Sequence, residues 1–283
     1  MIPTIPTPRA MNVIWSGYVA LFFIYLALPL AVVAVFAFND SQFPSLPWEG
    51  FTLDWFFGSE SPKIGVFHER QILGAIGTSA IVGAGVAALS VAVGTSNAFL
   101  FNRYRFRGRG VLYVLMLLPL VVPGIVLGIS ILVFSSNVAN ELWDAAQIDA
   151  QFLRPGLALV ILGQFSFITT IATLVISARL QKFDTTLEEA ALNLGATRLT
   201  AVRTITIPFL MPAIVGAGVV AFLMSFENFN TTLMLVGSDA PLTIAMFDRL
   251  KEGSTPLLNA VSLLLMIGSS LLALILIAFQ RRS

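Results

Sequence analysis

Long apolar runs alternate with short polar stretches along the whole chain. Measured against the roughly 20 apolar residues a helix needs to cross a bilayer, six runs qualify: 13–38, 73–101, 111–134, 156–178, 212–236 and 257–279. The pattern predicts an all-α integral membrane protein, a six-helix transmembrane bundle. One transmembrane domain is expected over 13–279, with short tails at 1–12 and 280–283. The first run is longer than the core of a secretion signal and no small-residue cleavage site follows it, so it is read as a retained span.

Orientation follows from the basic residues in the connecting segments. Six spans put both termini on one side. If that side is the cytoplasm, the inner segments hold Arg9, Arg103, Arg105, Arg107, Arg109, Arg179, Lys182, Arg198, Arg203, Arg281 and Arg282, eleven of the sixteen basic residues. Basic residues concentrate on the cytoplasmic face of membrane proteins, so cytoplasmic termini in a bacterial inner membrane are expected. The arginine cluster 102–110 reads either as a topology anchor or as a contact for lipid headgroups or a partner. Outside, the segment 40–72 carries Trp48, Trp55, Phe56 and Phe57, as in a short interfacial helix, a lid, or a surface for a docking protein.

Composition narrows the chemistry. The chain is 57% hydrophobic and only 11% charged, and it has no cysteine and one histidine, His68. Disulfides, thiolate nucleophiles and Cys- or multi-His metal sites are excluded. No basic stripe with interleaved aromatics supports nucleic-acid binding. No GxxxxGK[ST] phosphate loop occurs, so this subunit is expected to bind no ATP by such a loop and to carry no catalytic residue, metal or cofactor. In the third run, Pro119 and Pro123 predict a kink, and Gly124 and Gly128 form a GxxxG that permits close helix approach.

The inner segment 179–211 is too amphipathic for lipid and too helical for a linker. Asp184 or Thr185 is placed to cap a helix with Leu187, Glu188 and Glu189 in its first turn. Ala190, Ala191 and Leu194 extend an apolar face, and Gly195 ends it. A second short helix is expected over 197–206 before Pro208. Two short helices at an angle make a knob for a groove on another protein, or an amphipathic pair on the membrane surface.

These residues resemble a known family. Glu189, Ala190 and Ala191, three residues, Gly195, nine residues, then Ile205, Thr206, Ile207 and Pro208 are similar to the EAA loop of ABC importer permeases, with Ile207 where leucine is usual. The stretches around this loop and LPLVVPGIVLGISILVF in the third run resemble the permeases of spermidine/putrescine importers, particularly the second of that pair. The resemblance implies a type I importer permease fold whose EAA loop forms coupling helices. Its implied partners are a second homologous permease, a dimer of identical ATP-binding subunits that bind ATP and Mg, a periplasmic substrate-binding protein and the lipid bilayer.

One carboxylate, Glu227, falls inside a predicted span, where a charge costs about 2.5 kcal/mol or more. With Phe222, Phe226, Asn228 and Phe229 it suits an amine through charge pairing, hydrogen bonds and cation–π contact. The same stretch also reads as a helix break whose polar groups satisfy freed backbone. Polyamine permeases often carry acids at two successive positions here, whereas Glu227 is followed by neutral Asn228. Gln164 in the fourth run is a further candidate for the pathway. The expected function is passage of a small polyamine-like cation, driven by ATP hydrolysis on separate subunits. The alternatives are a quaternary amine, an amino-acid derivative or an oxyanion, and, from another class, an ion-coupled secondary transporter.

Overall fold

The computed structural model describes residues 9–280, with side chains for 11–278. Most of the expected N-terminal tail, and Arg281, Arg282 and Ser283 of the C-terminal one, lie outside the described residues. The helices are α1 (Arg9–Phe36), α2 (Asp54–Phe57), α3 (Arg70–Arg103), α4 (Arg109–Val121), α5 (Gly124–Ala146), α6 (Leu157–Leu180), α7 (Thr186–Asn193), α8 (Arg198–Ala201), α9 (Ile207–Phe226), α10 (Asn230–Leu235), α11 (Leu242–Glu252) and α12 (Pro256–Gln280). Six stretches are long and apolar enough to cross a membrane: Met11–Phe36, Arg70–Arg103, Gly124–Ala146, Leu157–Leu180, Arg198–Phe226 and Pro256–Ala278. The chain is a multi-pass, all-helical membrane protein.

Its contacts divide the described residues into two compact units, one of 9–69 with 249–268 and one of 70–248 with 269–280. In the first, α1 buries none of its apolar stretch, so lipid or another chain must cover it. The segment after it folds around Asn39, which is fully buried. The Asn39 side chain donates to the Ser45 carbonyl at 3.2 Å and accepts from the Glu49 N–H at 3.0 Å, while its carbonyl accepts from Trp55 Nε1 at 2.9 Å. Trp55 and Phe56 are thereby buried in this unit, while Trp48 and Phe57 are exposed. The segment 40–72 is a packed loop with one helical turn, α2, its backbone organised by the buried asparagine.

In the second unit α3, α6 and α9 pack on one another, and α6 has more than half of its apolar stretch buried. Val82 and Val86 of α3 meet Leu159, Val160 and Ile168 of α6 toward one end. Ala98 meets Ala172, Ile176 and Leu180 toward the other. The approach at Gly94 is close: a Cβ there would lie 2.9 Å from Ala172 Cβ and 3.1 Å from the Thr173 nitrogen.

Two predicted spans are broken. The run 111–134 is α4 and α5, interrupted at Val122–Pro123, because Pro123 forces its predecessor out of helical conformation; Val122 has ψ 130°. The Thr170 hydroxyl donates to the Met116 carbonyl at 2.6 Å in the turn before Pro119. Helix α5 then continues to Ala146, through residues expected as outer loop, and closes with Gln147 at φ 55°. The run 212–236 is α9 and α10, separated at Glu227–Phe229. Gly124 and Gly128 receive α10: the Thr231 hydroxyl donates to the Gly124 carbonyl at 3.3 Å, and a Cβ on Gly128 would lie 2.9 Å from Met234 Cβ.

Gly94 and Gly77 lie on the same helix with opposite surroundings, since nothing lies within 4 Å of a Cβ at Gly77. Gly94→Leu is expected to destabilise the detergent-solubilised permease by about 1–3 kcal/mol through overpacking. Gly77→Ala is expected to stabilise it by about 0.5–1 kcal/mol through helix propensity. Thermal unfolding of the two variants checks the contrast; equal shifts would contradict this packing of α3 on α6.

Candidate functional site

The loop between α6 and α9 is built from local signals. Asp184 Oδ1 accepts from the Thr186 N–H at 3.0 Å and from its hydroxyl at 2.8 Å. The backbone bond foremost, then the hydroxyl, hold this exposed carboxyl below its ordinary pKa, with slight burial opposing them. Helix α7 follows with Glu188 and Glu189 in its first turn, acid at the positive end of the dipole. It ends in a Schellman closure: Ala196 N–H bonds the Ala191 carbonyl and Gly195 N–H that of Leu192, both at 3.0 Å, with Gly195 at φ +90°.

Thr197 then caps α8, its hydroxyl accepting from the Thr200 N–H at 3.2 Å. The second short helix does not stop before Pro208 as expected. It runs into α9 through a π-turn, Val202–Thr206, in which Ile207 N–H bonds the Val202 carbonyl. Proline lacks an N–H and crowds the carbonyl four residues earlier, and widening the turn just before Pro208 accommodates it without a break.

The loop residues divide into a tip and a root. No α7 residue is buried; Glu189 and Ala190 are exposed, Ala191 is half-buried, and Leu194 and Leu199 are 89% and 75% exposed. That leaves an uncovered apolar knob. At the root Ile205 packs against the cluster containing Ala98, Leu180, Phe183 and Leu210, and Ile207 is half-buried while Pro208 is exposed. Arg179 stacks on Phe209 at 4.3 Å and donates to its carbonyl at 3.3 Å. Glu188, named in the sequence only as helix-capping acid, joins Arg103 of α3 at 3.1 Å and accepts the Thr206 hydroxyl. Beside it a cavity of about 620 Å³ is lined by Phe99, Arg103, Tyr104, Glu189, Leu192 and Arg198.

The second candidate group lies at the far end of α9, a helix of about 30 Å. Glu227 is the residue at which α9 stops; its side chain is exposed and has no hydrogen bond or ion pair among the described residues. Phe226 and Phe222 pack together at 5.7 Å, and Phe222 lies on Gly83 of α3. Phe229 meets Phe247 edge-on at 4.9 Å.

Asn228 is occupied. Its side-chain oxygen accepts from the Thr232 N–H at 3.3 Å and hydroxyl at 3.1 Å, and its carbonyl accepts from the Thr232 and Thr243 hydroxyls at 2.8 and 3.1 Å. Gln164 is 1% exposed: Ser225 donates to its amide oxygen, and its Nε2 donates to Thr232 Oγ1 at 2.8 Å. Gln164 and Asn228 therefore fasten α6, α9 and α10 around the break. Ser225, Thr231 and Thr232 could not be picked out for this network from sequence, since hydroxyls on apolar helices have no distinguishing spacing. Among the described residues no three Asp, Glu or His side chains converge as a metal site would require.

Residues 88–283 match the family described as binding-protein-dependent transport system inner membrane component. The chain is 28% identical over 268 residues to the putrescine transport system permease protein PotI of Escherichia coli (strain K12), covering 94% of this chain and 88% of that protein. It is 26% identical over 255 residues to the spermidine/putrescine transport system permease protein PotC of the same strain, covering 90% and 89%. The sulfate transport system permease protein CysT of Salmonella typhimurium (strain LT2) is 30% identical over 190 residues, 65% of this chain and 68% of that protein. A chain from the bacterial alginate ABC transporter, solved in complex with alginate pentasaccharide-bound periplasmic protein, shares the fold with a TM-score of 0.75 at 18% identity, covering 96% of this chain and 94% of that one.

Gly195→Ala places a Cβ in left-handed backbone, at a cost of about 1–2 kcal/mol. Amide exchange at Ala196 is expected to accelerate about tenfold, and unchanged exchange would contradict the closure. The Asp184 bond to Thr186 contributes fully above the unfolded aspartate value of about 3.9 and is lost as pH falls through the lower folded value. Thr186 amide protection should accordingly persist down to that ordinary value and fade only below it.

Proposed function

The chain belongs to the binding-protein-dependent transport system inner membrane components, and from that premise we propose that the solute it admits is a small nitrogenous cation of the polyamine kind. It is a permease subunit of an ABC importer, a non-catalytic membrane component. The observation that carries the cation reading is Glu227, an exposed carboxylate without an ion-pair partner among the described residues, at a helix break and flanked by Phe226 and Phe229. A carboxylate between aromatic faces attracts an ammonium by charge and by cation–π contact. The names of the putrescine and spermidine/putrescine relatives support the same class. The sulfate relative raises an oxyanion, which an exposed carboxylate disfavours. Because Asn228 is engaged by Thr232 and Thr243, Glu227 supplies the single free charge of the break, enough for one ammonium at a time.

The loop 179–211 faces the cytoplasm on this reading, as do both termini. Glu189, Ala190, Ala191 and Gly195 present the knob to a groove on a dimer of identical ATP-binding subunits, where ATP and Mg reside. Small alanines permit close docking, and the uncovered leucines supply apolar area. Closure of the ATPase dimer moves the knob, and the helices rooted at Ile205, Ile207 and Pro208 swing to expose the pathway alternately outward and inward. This chain contributes one transmembrane domain, 13–279, a second, homologous permease completes the pathway, and a periplasmic binding protein delivers the solute. The unburied α1 offers part of the apolar surface for such a pairing.

Glu227→Gln is expected to raise the apparent KM for putrescine uptake by about tenfold or more, the loss of one charge-assisted contact, with assembly unchanged. An unchanged KM would make Glu227 structural. Ala191→Arg is expected to abolish ATP-driven uptake in reconstituted vesicles while membrane insertion stays normal; undiminished uptake would contradict docking at α7.

A further inference from the structure

We propose that Arg103, Glu188 and Thr206 form a latch that fastens α7 to the transmembrane rod α3, and that the latch, rather than chain connectivity alone, carries motion of the loop into the bundle. This rests on the importer reading above and assigns its positioning residues. The Glu188 carboxylate is held from two elements at once, by the Arg103 guanidinium at the end of α3 and by the Thr206 hydroxyl in the π-turn. The Arg103 and Glu188 side chains are only 23% and 19% exposed, and Thr206 is fully buried. Arg103 also lies 5.3 Å from the ring of Phe183, and Gln181 Nε2 donates to Asn102 Oδ1 at 3.2 Å, so both sides of the joint are tied.

An exposed ion pair contributes little. A charge-assisted pair withdrawn from water and shared with a hydroxyl is directional and hard to break. Without it, α7 hangs from α6 by the turn 181–185 and from α8 by the turn at Gly195. The turn 181–185 touches α3 through Gln181 on Asn102 and Phe183 beside Ala98, but neither contact grips α7 itself. With it, α7, α3 and the π-turn move as one piece.

Helix α3 gives the latch a destination. From Ser79 to Arg103 it rises about 36 Å, enough to cross a bilayer core. At its other end the Ser79 hydroxyl accepts the Leu242 N–H at 2.8 Å, and Gly83 seats Phe222, five residues before Glu227. A displacement of α7 thus reaches the elements around the helix break through one rigid helix and two close contacts. Arg105, Arg107 and Arg109, also basic, have no ion pair among the described residues and lie outside the latch.

The test uses the complete transporter in liposomes, with the partner permease, ATP-binding subunits and binding protein, reading ATP hydrolysis and radiolabelled putrescine uptake in the same vesicles. Arg103→Ala and Glu188→Gln are expected to assemble and to keep basal ATP hydrolysis. Stimulation by the binding protein, and putrescine imported per ATP, should fall about tenfold, as for loss of one charged hydrogen bond. Thr206→Val, which deletes only a hydroxyl, should fall less, and Arg105→Ala should match the wild type. The reversed pair, Arg103→Glu with Glu188→Arg, should recover most of the ratio that each single change loses. Wild-type stimulation in Arg103→Ala, or equal loss in Arg105→Ala, overturns the latch. If the single variants fail to assemble, Thr206→Val decides: an undiminished ratio overturns the proposal. A wild-type complex stimulated by its binding protein yet unable to import putrescine contradicts the polyamine reading and leaves the latch supported or overturned by the stimulation ratio alone. A wild-type complex with no ATP-dependent response overturns both.

Discussion

A polar backbone group carried into hydrocarbon must find a partner inside the protein, and this single constraint organises the rest of the structure. Each such group left unpaired costs several kcal/mol, so every interruption of a helix must be answered by a neighbour. The fold interrupts its long apolar runs twice, at Val122–Pro123 and at Glu227–Phe229. Thr170 answers near the first through the Met116 carbonyl, and Gln164, Ser225, Thr232, Asn228 and Thr243 surround the second. These are also the places where α10 seats on Gly124 and Gly128. The breaks are fastened joints, and the polar residues that look most chemical in the sequence are mostly the fasteners.

Once those residues are used up, what remains free acquires meaning. Glu227 has no such engagement, stands exposed at the end of α9, and is the reason a cation is favoured over an anion. At the opposite end of the bundle the same distinction separates Glu188 from Glu189. Adjacent in sequence, one is drawn into a half-buried pair with Arg103, and the other is left facing outward beside a cavity. The loop therefore has an anchored side and a presenting side.

Much of this was legible in the sequence because the signals are short-range. Acid before α7, alanines within it, Gly195 at a positive φ and Pro208 beyond fixed the loop within a few residues. Six apolar runs mark six membrane-spanning stretches for the same reason, four of them as unbroken helices, since hydrophobicity of a continuous stretch needs no tertiary partner. The failures are all long-range or averaged out. Hydropathy over 212–236 hides a break caused by only three residues, Glu227 to Phe229. Arg103 and Glu188 are 85 positions apart and read separately as a topology anchor and a capping acid. The packed loop around Asn39 was invisible because a single buried asparagine leaves no periodic trace.

On the function proposed above, the loop from Asp184 to Pro208 is the cytoplasmic surface through which ATPase motion enters this permease. The chain contains no cysteine, so a lone thiol introduced as Leu194→Cys at the most exposed leucine of the knob reports its surroundings without background. Its labelling by a membrane-impermeant maleimide is measured in right-side-out and inside-out vesicles, with and without the ATP-binding subunits. Labelling only in inside-out vesicles, suppressed when those subunits are bound, is the expected result. Labelling from the outside, or labelling indifferent to the ATP-binding subunits, would contradict it.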